Sequence, residues 1–468
     1  MYASQLELTN FKRFQKSEIN LHSKITLLVG PNSSGKSSAI KALLGLKQTA
    51  SPSNEHEVFS AQGEYVDLGV YRDYVNNHDT TKRVKIGIKT EIPVIPFLRN
   101  DQSLTNIEFT FGHDSTTEQA RLFEIVVKDI SDNSKVILKL TKKQTRESFT
   151  LVLSETFAKK LSAMFSRKNE PEPKYISRWT NGISVIAGDR YQFKPEIKTK
   201  SSTESNFLND FPVQVLTDII QSILKGFDSD FFYLGPLRRS PSRSYSRTAH
   251  LISVGSTGEH TPSVLANLRS RASKERSRDK PQGKRLEQLN RWIDLIFPGS
   301  KISAKSIEEL VKLEIEREGG SKEVISDVGF GFSQVLPILV QASVMPSNST
   351  LLIEQPELHL HPSAQTKFAE IVTEASQNGR RFIIETHSEH IVRGLQLSIS
   401  NQRSRKGPLS NRLPNNELKV LYIPKAPHQL REMKIDEWGE FLEAWPQGFF
   451  DEAYQASMRL LNNKIQSS

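Results

Sequence analysis

The chain opens with an alternation. Gln5-Leu6-Glu7-Leu8-Thr9 places apolar side chains at every second position, the period of a strand with one buried face. Ile25-Thr26-Leu27-Leu28-Val29 follows as an almost unbroken apolar run, the pattern of a strand buried on both faces, and Ser38-Ala39-Ile40-Lys41-Ala42-Leu43-Leu44 reads as a helix. From Lys82 to Leu153 alternation returns, as in Arg83–Ile88 and Glu124–Val127, and predicts antiparallel sheet. From about residue 155 to 225 the pattern is mixed and helical, with the polar stretch Lys198–Glu204 read as a loop. Within it Val213, Leu216, Ile219, Ile220 and Ile223 recur at helical spacing. Tyr233-Leu234-Gly235-Pro236-Leu237-Arg238 reads as a strand ending in a turn, and Leu286–Phe297 and Val335–Val340 as helices. Two more apolar strands end in polar residues: Leu351-Leu352-Ile353-Glu354 and Phe382-Ile383-Ile384-Glu385-Thr386-His387. There is no internal repeat and no heptad run long enough for a coiled coil.

Composition bounds this picture. The 468 residues are 36% hydrophobic and 25% charged, enough for a sizeable core spread over two to three domains. The absence of cysteine excludes disulfides, iron–sulfur clusters and thiolate zinc sites, and fits a reducing cytosol. No apolar run approaches the roughly 20 residues that span a bilayer, and the N-terminus does not resemble a signal peptide. A cytoplasmic protein with no membrane partner is expected. The net charge of +10 favours nucleic acid or an acidic partner. Its basic residues gather at Arg238, Arg239, Arg243 and Arg247, and along Arg269, Arg271, Lys274, Arg276, Arg278, Lys280, Lys284 and Arg285. A solvated face and a polyanion or partner surface are both open readings of these segments.

The candidate chemistry starts at Gly30-Pro31-Asn32-Ser33-Ser34-Gly35-Lys36-Ser37, which fits G-x-x-x-x-G-K-[ST] between a strand and a helix. The glycines permit a tight turn. Backbone N–H groups along Asn32-Ser33-Ser34-Gly35 and the helix start at Lys36-Ser37-Ser38 supply positive potential for phosphates. Lys36 adds a point charge at the β/γ-phosphates, and Ser37 offers a hydroxyl to Mg²⁺. Glu354, at the end of an apolar strand, can hold Mg²⁺ through water. His387, at the end of the next, can reach a γ-phosphate. Glycines with Ser and Gln at a helix start, Gly329-Phe330-Gly331-Phe332-Ser333-Gln334, form a second anion site suited to ATP bound by another copy of the chain. His359 and His361 flank Leu360, and His387 and His390 are three apart, which makes a metal site conceivable.

In this order the elements resemble ATP-binding-cassette ATPases of the SMC and OLD type. Tyr65-Val66-Asp67-Leu68-Gly69, Tyr233–Arg238, Gly329–Pro337, Glu354–Pro362 and Trp445-Pro446-x-Gly448-Phe449-Phe450-Asp451 are similar to AAA-type ATPases related to the PtuA subunit of Septu anti-phage defence systems. The resemblance implies an α/β fold: a P-loop ABC-ATPase head with antiparallel β decoration and a helical lobe carrying the signature motif. The expected division is 1–154 (N-terminal lobe), 155–345 (helical or insertion lobe) and 346–468 (C-terminal lobe).

The same resemblance implies head-to-tail homodimers around two ATPs. Lys36, Ser37 and Glu354 bind Mg-ATP in one head, and Gly331 or Ser333 reaches it from the other, with the choice between those two open. Arg13 and Phe11 lie near the α-phosphate and base. Gln355 stands where the family's general base is Glu, so hydrolysis is expected to be slow, with Glu357 the nearest substitute and His387 orienting the water. Too little chain follows His387 for a Toprim nuclease, and no D-x-D occurs there, so the expected nuclease is a separate HNH-type partner. Two functions remain: an ATPase that regulates such a nuclease in anti-phage defence, and an ATP-dependent DNA clamp of repair or chromosome maintenance. A transporter subunit fits least, because the signature departs from the transporter pattern.

Overall fold

The computed structural model of the chain describes residues 3–51, 57–90, 105–130, 135–143, 148–164, 173–187, 191, 193–195, 203–249, 251–274, 281–425 and 429–446. The chain forms two compact units: 1–22 with 37–231, and 23–36 with 232–468. The blocks 1–154, 155–345 and 346–468 divide the sequence and do not coincide with these units. The chain enters the second unit at residue 23 to contribute one strand and its loop, returns at 37, and crosses again after 231.

The first unit is built on a nine-stranded sheet. Its strand order is 193–195, 183–187, 148–153, 135–142, 120–129, 105–113, 84–90, 3–11 and 14–20. Neighbours are antiparallel throughout. The alternation read between 82 and 153 is sheet in the described strands 84–90, 105–113, 120–129, 135–142 and 148–153, and Leu6, Leu8, Ile86, Ile88, Ile107 and Phe109 carry the buried face of the sheet. Two strands escaped the helical reading of 155–225. Ile183–Ala187 and Phe193–Pro195 extend the sheet, after Gly182 turns the chain at φ +103°. Helix Thr203–Ser229 takes in residues 203 and 204 of the expected loop, while 198–202 lie outside the described residues.

The Tyr65–Gly69 motif belongs to this unit. The buried Gln48 amide donates to Ser60 O at 3.1 Å and Val66 O at 3.2 Å, and accepts from Tyr65 N at 3.0 Å and Val66 N at 3.1 Å. A buried amide with donors and acceptors satisfied fixes the loop that wraps it.

The second unit centres on a six-stranded sheet in the order Phe231–Leu234, Thr350–Glu354, Arg381–Glu385, Ile25–Val29, Leu418–Tyr422, Arg431–Met433. The strands from Thr350–Glu354 to Leu418–Tyr422 are parallel, and the last pair is antiparallel. Helices Phe330–Val344, Pro362–Gln377 and Glu389–Ser404 pack in this unit. Their apolar faces join Leu27, Leu351, Ile353, Phe382 and Ile384 in one core. The Ile25–Val29 run is apolar without alternation because every residue in it is buried. A small antiparallel sheet of 245–246, 310–317, 300–307 and 322–324 and helices Thr261–Lys274 and Pro281–Ile296 complete the unit. The end of the tail motif, 447–451, lies outside the described residues, as does 275–280 of the basic segment. No described helix is long and apolar enough to cross a membrane.

Candidate functional site

Parallel strands point their carboxyl ends the same way, and ligand sites of such sheets form at that edge. Here the register sets Glu354 opposite Glu385, Glu385 opposite Leu28, and Tyr422 opposite Val29. The Gly30 loop, Gln355, Thr386-His387 and Ile423 therefore leave the sheet side by side. Gly30 has φ +147°, and a Cβ there would stand 2.3 Å from the Ile423 carbonyl oxygen, so only glycine fits. Ser33 at φ +60° and Gly35 at φ +95° complete the curl. Asn32 and Ser33 are exposed on the loop, and Ser34 is buried.

Lys36 opens the helix Lys36–Ala50 and is itself buried, with Nζ donating to the Gly30 and Pro31 carbonyl oxygens at 2.9 Å each. Burial pushes its ammonium below the ordinary lysine range, while Glu385 and Glu357 pull it back up. Among the described residues this buried ammonium is hydrogen-bonded to loop carbonyls alone, which fits a donor to phosphate oxygens. Ser37 and Ser38 continue the helix into the first unit. Arg13 lies in that unit, in the turn between strands Ala3–Phe11 and Phe14–Asn20. Phe11 is fully buried there and packs on Tyr74 at 6.1 Å between ring centroids.

Around Glu354 the structure assembles residues whose role the sequence did not reveal. Tyr233 OH donates to Glu354 Oε1 at 2.7 Å, and Arg238 Nη2 donates to the Glu354 carbonyl at 2.7 Å. Arg238 is only 5% exposed. Burial pushes its guanidinium down to about 10, opposed by Glu357, Tyr233 and Glu354. The strand-and-turn Tyr233–Arg238 thus braces the acid strand. Removing the phenol hydroxyl in Tyr233→Phe should lower folding stability by about 1.5–3 kcal/mol, the worth of a buried hydrogen bond to a charged acceptor. Urea unfolding of the variant measures it, and an unchanged midpoint would exclude the brace.

Gln355 adopts φ +46°, a left-handed conformation rare outside glycine and asparagine, and its N–H donates to Glu385 O at 2.8 Å. Glu357 faces the neighbouring strand end. Its Oε2 accepts from Thr386 Oγ1 at 2.8 Å and its Oε1 from the His387 N–H at 2.7 Å. Burial raises the Glu357 pKa, and these hydrogen bonds oppose the rise. Thr386 Oγ1 also accepts from Ser388 N at 2.9 Å, and Ser388 caps helix Glu389–Ser404 by accepting from Ile391 N at 3.1 Å.

His387 is half-buried and its pKa is lowered by burial first and by Lys36 second. Its folded pKa lies below the ordinary 6.5, so the unfolded chain takes the proton first as pH falls. Stability contributed by neutral His387 should be lost from near pH 6.5 down to that folded value and stay constant below it. His387→Gln should flatten this part of the stability–pH curve, which denaturation at a series of pH values would show.

The signature segment starts helix Phe330–Val344. A Cβ on Gly331 would meet the His359 carbonyl oxygen at 2.5 Å, so this glycine packs against the loop after the acid strand. Ser333 is buried, and its hydroxyl donates to Phe330 O at 2.7 Å. Gly329 and Phe330 are the exposed residues of the segment. In Leu-His-Leu-His-Pro, His361 caps helix Pro362–Gln377 by accepting from Ser363 N at 3.3 Å, with Pro362 at the first helical position. Among the described residues no group of three or more His, Asp or Glu side chains is arranged to hold a metal ion.

Residues 1–392 match the family model described as "AAA ATPase domain". The DNA replication and repair protein RecF of Roseiflexus castenholzii is 39% identical over 74 residues, which cover 15% of this chain and 18% of RecF. The match thus spans less than a fifth of that relative's length. Among solved structures, the SMC head domain from Thermotoga maritima is 12% identical with a TM-score of 0.36, covering 93% of this chain and 100% of that one. The Pyrococcus furiosus Smc head with an extended coiled coil, bound to the C-terminal domain of ScpA, is 11% identical with a TM-score of 0.41, covering 99% of each chain. With a strand–loop–helix phosphate motif set at the carboxyl edge of a parallel sheet and a family match over most of its length, this chain belongs to the AAA ATPase domain family.

Proposed function

We propose that this protein is an ATP-dependent switch: it binds Mg-ATP, pairs head to tail with a second copy, hydrolyses ATP slowly, and through its ATP state regulates a separate HNH-type nuclease in anti-phage defence in the cytoplasm. The observation that carries the ATP reading is the convergence of Gly30–Lys36, Glu354-Gln355 and the Glu357–Thr386–His387 group on one sheet edge. Backbone N–H groups of Asn32–Gly35 and the helix start hold the phosphates, and Lys36 sets its charge at the β/γ-phosphates. Ser37 and Glu354 hold Mg²⁺. When bound, the ion supplies charge neutralisation at the β- and γ-oxygens.

In hydrolysis a water oxygen bonds to the γ-phosphorus, the bond to the ADP oxygen breaks, and the water's proton must leave. His387 orients the water, and Gln355, at the expected base position, cannot take the proton. Glu357, two residues on, is the nearest candidate base, yet both of its oxygens already accept hydrogen bonds, which supports slow turnover. At the dimer interface the helix start that carries Gly331 and Ser333 serves the partner's ATP. Because the Ser333 hydroxyl is tied to its own helix, the exposed main chain at Gly329-Phe330 is the better-placed donor.

The effector half of the reading rests on the family resemblance of the motifs. Its test is purification of the tagged chain expressed with its neighbouring genes. A stoichiometric HNH nuclease is the expected companion, and a chain that emerges alone would reject the effector model. The short match to a DNA replication and repair protein and the basic residues favour a second reading, an ATP-dependent DNA clamp. It requires ATP-dependent DNA binding by the isolated chain with a steep salt slope.

A further inference from the structure

Away from the nucleotide edge, the second unit has an open cleft of about 540 Å³ lined chiefly by Lys284, Arg285, Gln288, Arg291, Asn378 and Arg380. Arg380 immediately precedes strand Arg381–Glu385, so it lies at the amino end of a strand whose carboxyl end leads to Thr386-His387. Five residues of strand put these ends about 17 Å apart, and the cleft is separate from the phosphate loop.

The charge here is not balanced. Arg380 is 6% exposed, and its Nε and Nη2 donate to the Met345 and Ser343 carbonyl oxygens at 3.2 Å each. Its Nη1 has no hydrogen-bond partner among the described residues. Burial pushes its pKa down to about 10, and Arg285 adds like-charge repulsion. The carboxylate that opposes this, Glu374, already accepts from Arg291 at 3.0 Å and Gln288 at 2.9 Å. Glu287, exposed, is the one acid on the cleft wall. Lys284 and Arg285 form no ion pair among the described residues. A buried guanidinium held by neutral carbonyls, beside other cations, lacks the counter-charge that buried ions ordinarily have. Guanidinium forks match phosphate oxygens, and Asn378 adds a neutral donor.

We infer that this cleft is a second anion site, which binds phosphate groups supplied either by a free oligophosphate or by a phosphodiester backbone. It does not depend on the reading of the phosphate loop.

The test uses the full chain with Lys36→Ala, so that the loop contributes little, and calorimetry at low salt with two probes, inorganic tripolyphosphate and a short single-stranded oligonucleotide. Removing the buried Arg380 would endanger the fold, so the exposed Lys284 and the half-buried Arg285 carry the comparison. Tripolyphosphate should still bind the Lys36→Ala chain, and adding Lys284→Glu with Arg285→Glu should weaken it by about tenfold or more. Binding of the oligonucleotide alone, lost on the same charge reversal, supports the site with a nucleic-acid backbone as the source. If neither probe binds, or if charge reversal leaves the affinity unchanged, the inference is overturned. Failure of the loop reading would look different: Lys36→Ala would keep full ATP affinity with the cleft intact.

Discussion

Lys36→Ala should weaken ATP binding by at least about a hundredfold. A hydrogen bond to a charged group is worth about 1.5–3 kcal/mol, and a hundredfold change in affinity is about 2.7 kcal/mol. Lys36 is placed to exceed the lower bound. Its ammonium sits in the curl of the loop, bonded to the Gly30 and Pro31 carbonyl oxygens, where burial strengthens any new charge pair. The substitution also strips the nearby carboxylates Glu357 and Glu385 of their cation, so the site's own field turns against a polyphosphate. Titration with a fluorescent ATP analogue reads the effect, and a melting curve checks that the variant is folded. A folded variant with affinity within about threefold of the parent would remove the phosphate loop from the ATP site, because a lost charge-assisted contact alone should exceed that.

Gln355→Glu should act in the opposite direction and raise the steady-state rate of ATP hydrolysis by about a hundredfold, the lower end of what a positioned general base contributes. The position is held firmly. Its N–H bonds to Glu385 O, and Arg238 braces the Glu354 carbonyl just before it. A carboxylate there would stand where the proposed function expects a general base, whereas Glu357 is committed to Thr386 and the His387 N–H. Glutamate and glutamine are nearly isosteric, so the left-handed backbone at φ +46° should persist. Phosphate release under saturating ATP measures the change. A rate that stays flat would mean that Glu357 or the phosphate itself takes the proton, and Glu357→Gln would then tell these apart. If ATP state controls an effector, the faster variant should also shorten the lifetime of the ATP-bound assembly.

Much of this site was legible in the chain because its determinants are local. Gly30 to Ser37 can be read as a phosphate loop since the turn, the N–H cradle and the helix start all lie within eight consecutive residues. The acid and histidine strands were legible because apolar runs that end in polar residues mark buried parallel strands and their exits. Sheet between 82 and 153 follows from period-2 alternation. The strands at 183–187 and 193–195 were missed because short segments between helices carry little periodic signal.

What the sequence determines by itself is therefore the elements that would carry the chemistry: a phosphate-loop motif between a strand and a helix, an apolar strand ending in an acid and another ending in a histidine. The tertiary structure alone decides how these are used, since hydrogen bonds across long sequence separations leave no local pattern. Tyr233 and Arg238 reach Glu354 across 121 and 116 residues. Glu357 is committed to a strand end about 30 residues on. Ser333 is turned inward by its place on a buried helix, and Arg380 is brought against Lys284 and Arg285 by packing nearly a hundred residues away in sequence. Each of these depends on which faces meet when two distant segments fold together, and no periodicity within either segment encodes that meeting.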